Sequence, residues 1–406
     1  MPTSTIISDN GVLSGTTGLK TAGGDDGTLV LQTTTAGGTA TTAITIDTSQ
    51  AVTFAQTANL PNTFGFKNRI INGGMVIDQR NAGASITPTD GQYSVDRWQC
   101  FLTQASKYTV QQSTTAPTGF VNSVVVTSSS AYSVLTGDTF GIRQKIEGLN
   151  VSDLAWGTAS AKSITISFWV RSSLTGTFGG AIQNSNQNRS YPFTYTISAA
   201  NTYEQKTITV AGDTSGTWLT TNGIGISLVF NLGSGATYSG TAGAWAGALY
   251  FAPTGATSVV GTNAATWYVT GVQLEVGSTA TSFDYRDYGR ELAMCQRYYY
   301  KVFPAAANIP LGSGFSRTTT AQRTFIPFPI TMRTAPSAVE QTGTASDYQV
   351  QYSDSATACS AVPAFQQATV NSSVLEFTVA SGLTAGTGSF ARTNSTSGYL
   401  AWSAEL

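Results

Sequence analysis

The sequence predicts an all-β protein built in series: an N-terminal intertwined β stalk, a central jelly-roll β-sandwich, a short linking helix and a small C-terminal β-sandwich. Three observations predict it. Only 10% of the 406 residues are charged, whereas 42 are glycine and 11% aromatic, a balance that favours short strands and turns over helices. Runs of alternating apolar and polar residues recur along the chain, punctuated by Gly, Asn and Ser. One segment alone places its apolar residues at helical spacing.

Residues 1–62 form the first segment. In DGTLVLQ, Leu29 and Leu31 share a face; Ile44 and Ile46 do so in AITID, and Val52 and Phe54 in AVTF. A stretch of about sixty residues with so few large side chains cannot bury enough surface alone. Partner copies are therefore expected, and a homotrimer is the preferred assembly.

Residues 63–284 carry the densest strand pattern, in SVVVTS, KSITISFWVRSS, FTYTIS, EQKTITVAG, GIGISLVFNLG and TWYVTGVQLEVG. Many short strands at this spacing indicate a β-sandwich or jelly roll. Ile164, Ile166, Phe168 and Val170 fall on one face of their strand, and Trp169 on the other with Thr165, Ser167 and Arg171. Residues 285–300 are the linking helix. Asp287 is a sound N-cap, and Tyr288, Leu292, Cys295 and Tyr299 make one stripe. From 301 to 406 the alternation returns in RTFIPFPITMRT, SDYQVQYS, SSVLEFTVAS and YLAWSAEL.

Several functions are disfavoured by composition. The net charge is -1 with no basic block, so nothing neutralises phosphates, and no nucleic acid is expected as a partner. No apolar run reaches the roughly 18 residues that membrane insertion requires. Histidine is absent, which removes Ser-His-Asp and Cys-His nucleophiles and every His-containing metal site. Cys100, Cys295 and Cys359 are widely spaced, as buried reduced thiols are. Residues 1–20 resemble no secretory signal, so assembly in a cytoplasm is expected. A glycosidase needs two carboxylates about 5–10 Å apart, and the 21 acids are scattered without a pairing motif. An enzyme is not expected.

The stretches NRIINGGMVIDQRN, GQYSVDRWQ, SFWVRSSLTGTF and VTGVQLEVGSTATSFDYRDYGRELAMCQRYY occur in that order over residues 64–300. Together they resemble a module of tailed-bacteriophage fibre and tail proteins, which implies a carbohydrate-binding-like jelly roll. GGDDGTLVLQTTTAGG looks like the stalk upstream of phage fibres, and FPITMRTAPS and YLAWSAEL are similar to their small terminal β-domain. The resemblance implies a virion fibre on the tail or capsid, anchored to other virion proteins through residues 1–62. Its implied function is host attachment through a bacterial surface glycan. The alternatives are a decoration fibre without a specific receptor and a carboxylate-based depolymerase of surface polysaccharide.

Sugar recognition needs aromatic faces beside amide and hydroxyl groups. The loop QNSNQNRSYPF offers Asn186, Asn188, Arg189 and Tyr191, and Trp218 and Trp245 lie in Gly- and Thr-rich surroundings. These six are the candidate glycan-binding residues. No cofactor is expected, apart from a structural calcium that the resemblance associates with an acid near the last strand, here Glu275. Asp78 and Arg80 are placed on alternate positions of a strand, where structural pairing is preferred to ligand binding. Asp96-Arg97-Trp98 is taken as an ion-paired arginine beside a core tryptophan.

Overall fold

The structure, a computed structural model, describes residues 20–23, 28–34, 40–49, 51–54 and 67–406. The chain divides into two compact units, residues 1–63 and 64–406. In the first, β1 (Lys20–Gly23), β2 (Leu29–Thr34), β3 (Ala40–Ile46) and β4 (Val52–Phe54) form an antiparallel meander in that order. Its register aligns Leu29 with Ile46 and Ile46 with Val52, and Leu31 with Ile44 and Ile44 with Phe54. The three predicted apolar pairs thus join into one face. That face remains open: Leu29, Val52 and Phe54 are 38%, 52% and 42% exposed. The virion-anchoring role expected of residues 1–62 falls largely outside the described residues.

The second unit begins with the sandwich. Its strands are β5 (Gln99–Leu102), β6 (Tyr108–Ser113), β7 (Ser123–Ser128), β8 (Thr139–Glu147), β9 (Ile164–Ser172), β10 (Gly176–Gln183), β11 (Ser190–Ile197), β12 (Glu204–Val210), β13 (Ile224–Ser234), β14 (Ser239–Gly240), β15 (Ala252–Pro253) and β16 (Thr266–Val276). Two five-stranded antiparallel sheets face each other, in the orders β11-β10-β13-β8-β5 and β12-β9-β16-β7-β6. Ile164, Ile166, Phe168 and Val170 point into the core as the alternation predicts, each fully buried. Phe168 meets Phe230 edge-on at 5.0 Å, and Phe230 lies 5.5 Å from Trp267.

Asn68–Asn81 departs from expectation. Asp78 and Arg80 do not sit on a strand, because the segment is irregular. Asn72 and Met75 adopt φ of 57° and 58°, which ends any extended run. Side-chain amides supply the bonds a ladder would have made. Asn68 Oδ1 accepts from the N–H of Ile70 and Leu274, and Asn72 Nδ2 donates to the carbonyls of Ile77 and Asp96. The Asp78 carboxylate accepts from the N–H of Asn81 and Gly83. The segment is a clasp tied to β16 and to the helix that follows, and the preferred structural pairing describes it.

That helix, α1 (Tyr288–Gln296), is capped by the Asp287 side chain, which accepts from the Arg290 N–H at 2.9 Å. Its predicted stripe holds only in part. Cys295 is buried, but Tyr288 is 63% exposed. Tyr299 lies beyond the helix, in the strand β17 (Tyr299–Val302). The remaining strands are β18 (Pro310–Ser316), β19 (Ala321–Pro327), β20 (Tyr348–Tyr352), β21 (Ser355–Ala358), β22 (Ala364–Ala368), β23 (Ser372–Thr378), β24 (Gly388–Thr393) and β25 (Leu400–Ser403). A seven-stranded antiparallel sheet, β21-β20-β24-β18-β19-β23-β22, and the pair β17-β25 make the C-terminal lobe. Its core combines Leu375 and Phe377 of the sheet with Trp402 of β25. Among the described residues, no helix is long and apolar enough to cross a membrane.

Candidate functional site

Five of the six predicted residues converge at one end of the sandwich. Asn184 builds the turn that presents them. Its Oδ1 accepts from the N–H of Asn188 and Arg189, and its Nδ2 donates to Asn188 Oδ1 and to the Thr217 carbonyl. One buried amide thus joins the loop before β11 to the loop after β12. Asn186 and Asn188 are left exposed at the tip. Asn186 is the sixth residue, exposed on the same turn.

Arg189 is fixed rather than free. Its guanidinium forms two bonds to the Asp213 carboxylate, at 2.8 and 2.7 Å, a fork geometry stronger than a single contact. Its aliphatic stem crosses Gly216, where φ is +80° and an added Cβ would lie 2.6 Å from the stem. The bond to Asp213 raises the Arg189 pKa further above its usual value, so its charge is constant under all physiological conditions.

The aromatic members pack edge to face around a third tryptophan. Trp156 lies 4.7 Å from Trp218 and 5.4 Å from Trp245, and these two are 5.4 Å apart. Tyr191 meets Trp245 at 5.2 Å. Such pairs add roughly 0.5–1.5 kcal/mol each beyond burial. All three indole N–H groups donate to backbone carbonyls, of Lys162, Ser215 and Ala211. Trp156 is buried, while Tyr191, Trp218 and Trp245 are only partly so. The rings therefore anchor the end of the core and also present surface to solvent, with all three indole N–H groups already satisfied. Partial burial raises the Tyr191 hydroxyl pKa.

Two members of this group were missed in the sequence. Trp156 sits in the irregular stretch VSDLAWGTAS, where no periodicity marks it. Asp213 is 24 positions from Arg189, and nothing local links them.

Glu275, the calcium candidate considered above, is engaged by donors within the chain. It is 3% exposed, and its carboxylate accepts from Gln273 Nε2 and from the N–H and hydroxyl of Thr281, at 2.8, 2.9 and 2.6 Å. These three donors take up most of the carboxylate's acceptor capacity. Among the described residues, no group of three or more His, Cys, Asp or Glu side chains is placed to hold a metal.

No family model matches the sequence, and no curated protein matches it. Solved structures give partial likenesses. The enzymatically active domain of bacteriophage CBA120 tailspike protein 4 aligns over 52% of this chain at 13% identity and a TM-score of 0.29, and the match spans only 21% of the tailspike chain. A family 11 carbohydrate-binding module from Clostridium thermocellum aligns over 48% of this chain and 96% of its own, at 12% identity and a TM-score of 0.25. The CBM22-1 xylan-binding domain from Paenibacillus barcinonensis aligns over 50% and 99%, at 8% and 0.24.

Proposed function

We propose that this chain is a structural fibre protein of a tailed phage that attaches to bacterial surface glycans without catalysing a reaction. The observation that carries it is the end-loop patch. Trp218, Trp245 and Tyr191 present partly exposed ring surface beside Asn186, Asn188 and a charge-fixed Arg189. Rings of this kind stack on the C–H face of a sugar, while amides bond its hydroxyls. The placement on the virion rests on the four ordered sequence motifs over residues 64–300. A homotrimer is supported by the exposed apolar residues Leu29, Val52 and Phe54 of β2 and β4, since a unit of about sixty residues buries little surface alone. Trimerisation would also multiply weak sugar contacts.

The test is binding of the full-length chain to arrayed bacterial surface oligosaccharides. Asn186→Ala with Asn188→Ala removes the exposed amides at the loss of one bond from Asn184 Nδ2, which keeps its bond to the Thr217 carbonyl, and Trp218→Ala with Trp245→Ala removes the rings. Each pair is expected to weaken binding tenfold or more while the circular dichroism of the fold is retained for the asparagine pair. Wild-type chain that binds no glycan would sink the proposal and favour a decoration fibre. Release of new reducing ends from capsule would favour the depolymerase instead.

A further inference from the structure

A second recess opens where the sandwich meets the C-terminal lobe. Its volume is about 620 Å³, within the range of roughly 300–1,000 Å³ usual for small-molecule sites. The walls come from the loop Thr89–Tyr93, from β17, and from Glu340 and Tyr399.

The back of this cleft is closed. The Arg80 guanidinium lies 3.6 Å from the Tyr299 ring centre and 4.8 Å from that of Tyr93. Its charge is met by Glu405 at 3.0 Å. What remains facing the opening is one cation, Lys301, and two exposed carboxylates, Asp90 and Glu340. Lys301 belongs to none of the ion pairs found among the described residues. Its ammonium donates to the Arg80 carbonyl at 3.1 Å and lies 4.6 Å from the Tyr399 ring. An ammonium has three protons to donate, so capacity is left over. Glu340 accepts from the Tyr299 hydroxyl at 2.9 Å, and a carboxylate has room for several donors.

We infer that this junction cleft is a second saccharide site, selective for neutral pyranose units. The inference rests on the glycan-binding proposal above. A sugar hydroxyl both donates and accepts. Glu340 can accept a hydrogen bond from it while Lys301 donates one to its oxygen, and bonds to charged partners are about twice as strong as neutral ones. The partly buried rings of Tyr93 and Tyr399 flank the opening with apolar surface. Two carboxylates against one cation disfavour an anionic sugar, because like charges repel across a partly desolvated recess. Two sites on one chain would also raise the avidity of each contact.

The experiment uses the full-length chain on an array holding neutral oligosaccharides and uronate- or sialate-bearing ones. Four proteins are compared: wild type, Glu340→Gln, Lys301→Ala and the patch variant Trp218→Ala/Trp245→Ala. Glu340 is exposed, so its isosteric replacement leaves the fold intact. The expected result is a neutral subset that the patch variant still binds and that Glu340→Gln and Lys301→Ala each weaken at least tenfold. The inference is overturned if both cleft variants bind every glycan as wild type does, or if the subset they lose is acidic. A patch variant silent on all glycans, with cleft variants unchanged, overturns the cleft alone and leaves the attachment proposal standing. Wild type silent on the whole array overturns both.

Discussion

Asp96 is 1% exposed, and burial raises its carboxyl pKa from 3.8 to about 6, against the opposing pull of Arg80 and two bonds from Gln79. The folded chain therefore keeps this proton where the unfolded chain has lost it. Between about pH 4 and pH 6 the native state binds more protons, so this group contributes stability at acid pH that declines as pH rises through the window. The gap corresponds to a contribution on the order of 3 kcal/mol. Replacing Asp96→Asn removes the titration and is expected to flatten the stability profile across that window. Urea midpoints for both proteins at several pH values check it, and parallel profiles would count against Asp96. The neighbouring Arg97 shows what the triplet Asp96-Arg97-Trp98 is for. Arg97 is 1% exposed, pairs with Glu405 and lies 3.6 Å from the Tyr298 ring, while Trp98 is fully buried. The pairing was readable from residue type, since a buried charge requires a partner. The partner was not, because Glu405 is 308 positions away.

At the level of elements, β9 follows its sequence pattern closely, and α1 keeps its predicted cap though only part of its stripe. Losing the cap by Asp287→Ala is expected to cost about 1 kcal/mol, measured as a shift in the denaturation midpoint. Strand β16 contains a feature that alternation cannot reveal. Its register against β9 shifts between Thr270 and Gln273, and within that bulge Gly271 has φ of +60°. A Cβ there would lie 2.6 Å from the Phe120 ring and 3.0 Å from Trp169. Gly271→Ala is therefore expected to destabilise by about 1–3 kcal/mol through backbone strain and overpacking together. Wild-type stability in this variant would refute the close contact. The helix stripe failed at Tyr299 because pairing with Ser403 of β25 supplies strand bonds that helical spacing does not anticipate.

On the scale of the molecule, the two lobes of residues 64–406 are held by charges that meet in their shared interior. Glu405 receives Arg80 and Arg97 from the sandwich. Glu147, 1% exposed, receives Arg297 at 2.6 Å and the Tyr298 hydroxyl at 2.6 Å. Glu405→Ala would leave Arg97 buried without a counter-charge, and removing one partner of a buried pair costs about 3–5 kcal/mol. That loss is expected in both lobes at once. Faster amide exchange in β8 and β25 together would show it, whereas a change confined to β25 would argue that the lobes fold separately.

The sequence by itself determined the all-β class, the inward faces of the strands, the helix cap and the absence of histidine chemistry. Those properties depend on residue type and on spacings of two to four residues, which the chain writes locally. It also pointed to the loop after β10 that carries Asn186, Asn188 and Arg189, because that loop is rich in amide side chains. Only the tertiary structure decided that Trp156 and Asp213 complete the end-loop patch, that Asn68–Asn81 is a clasp, and that Arg80, Tyr299, Lys301, Glu340 and Tyr399 border one cleft. Contacts of that kind are closed by packing between segments up to about three hundred residues apart, and no local period records which distant loops will meet.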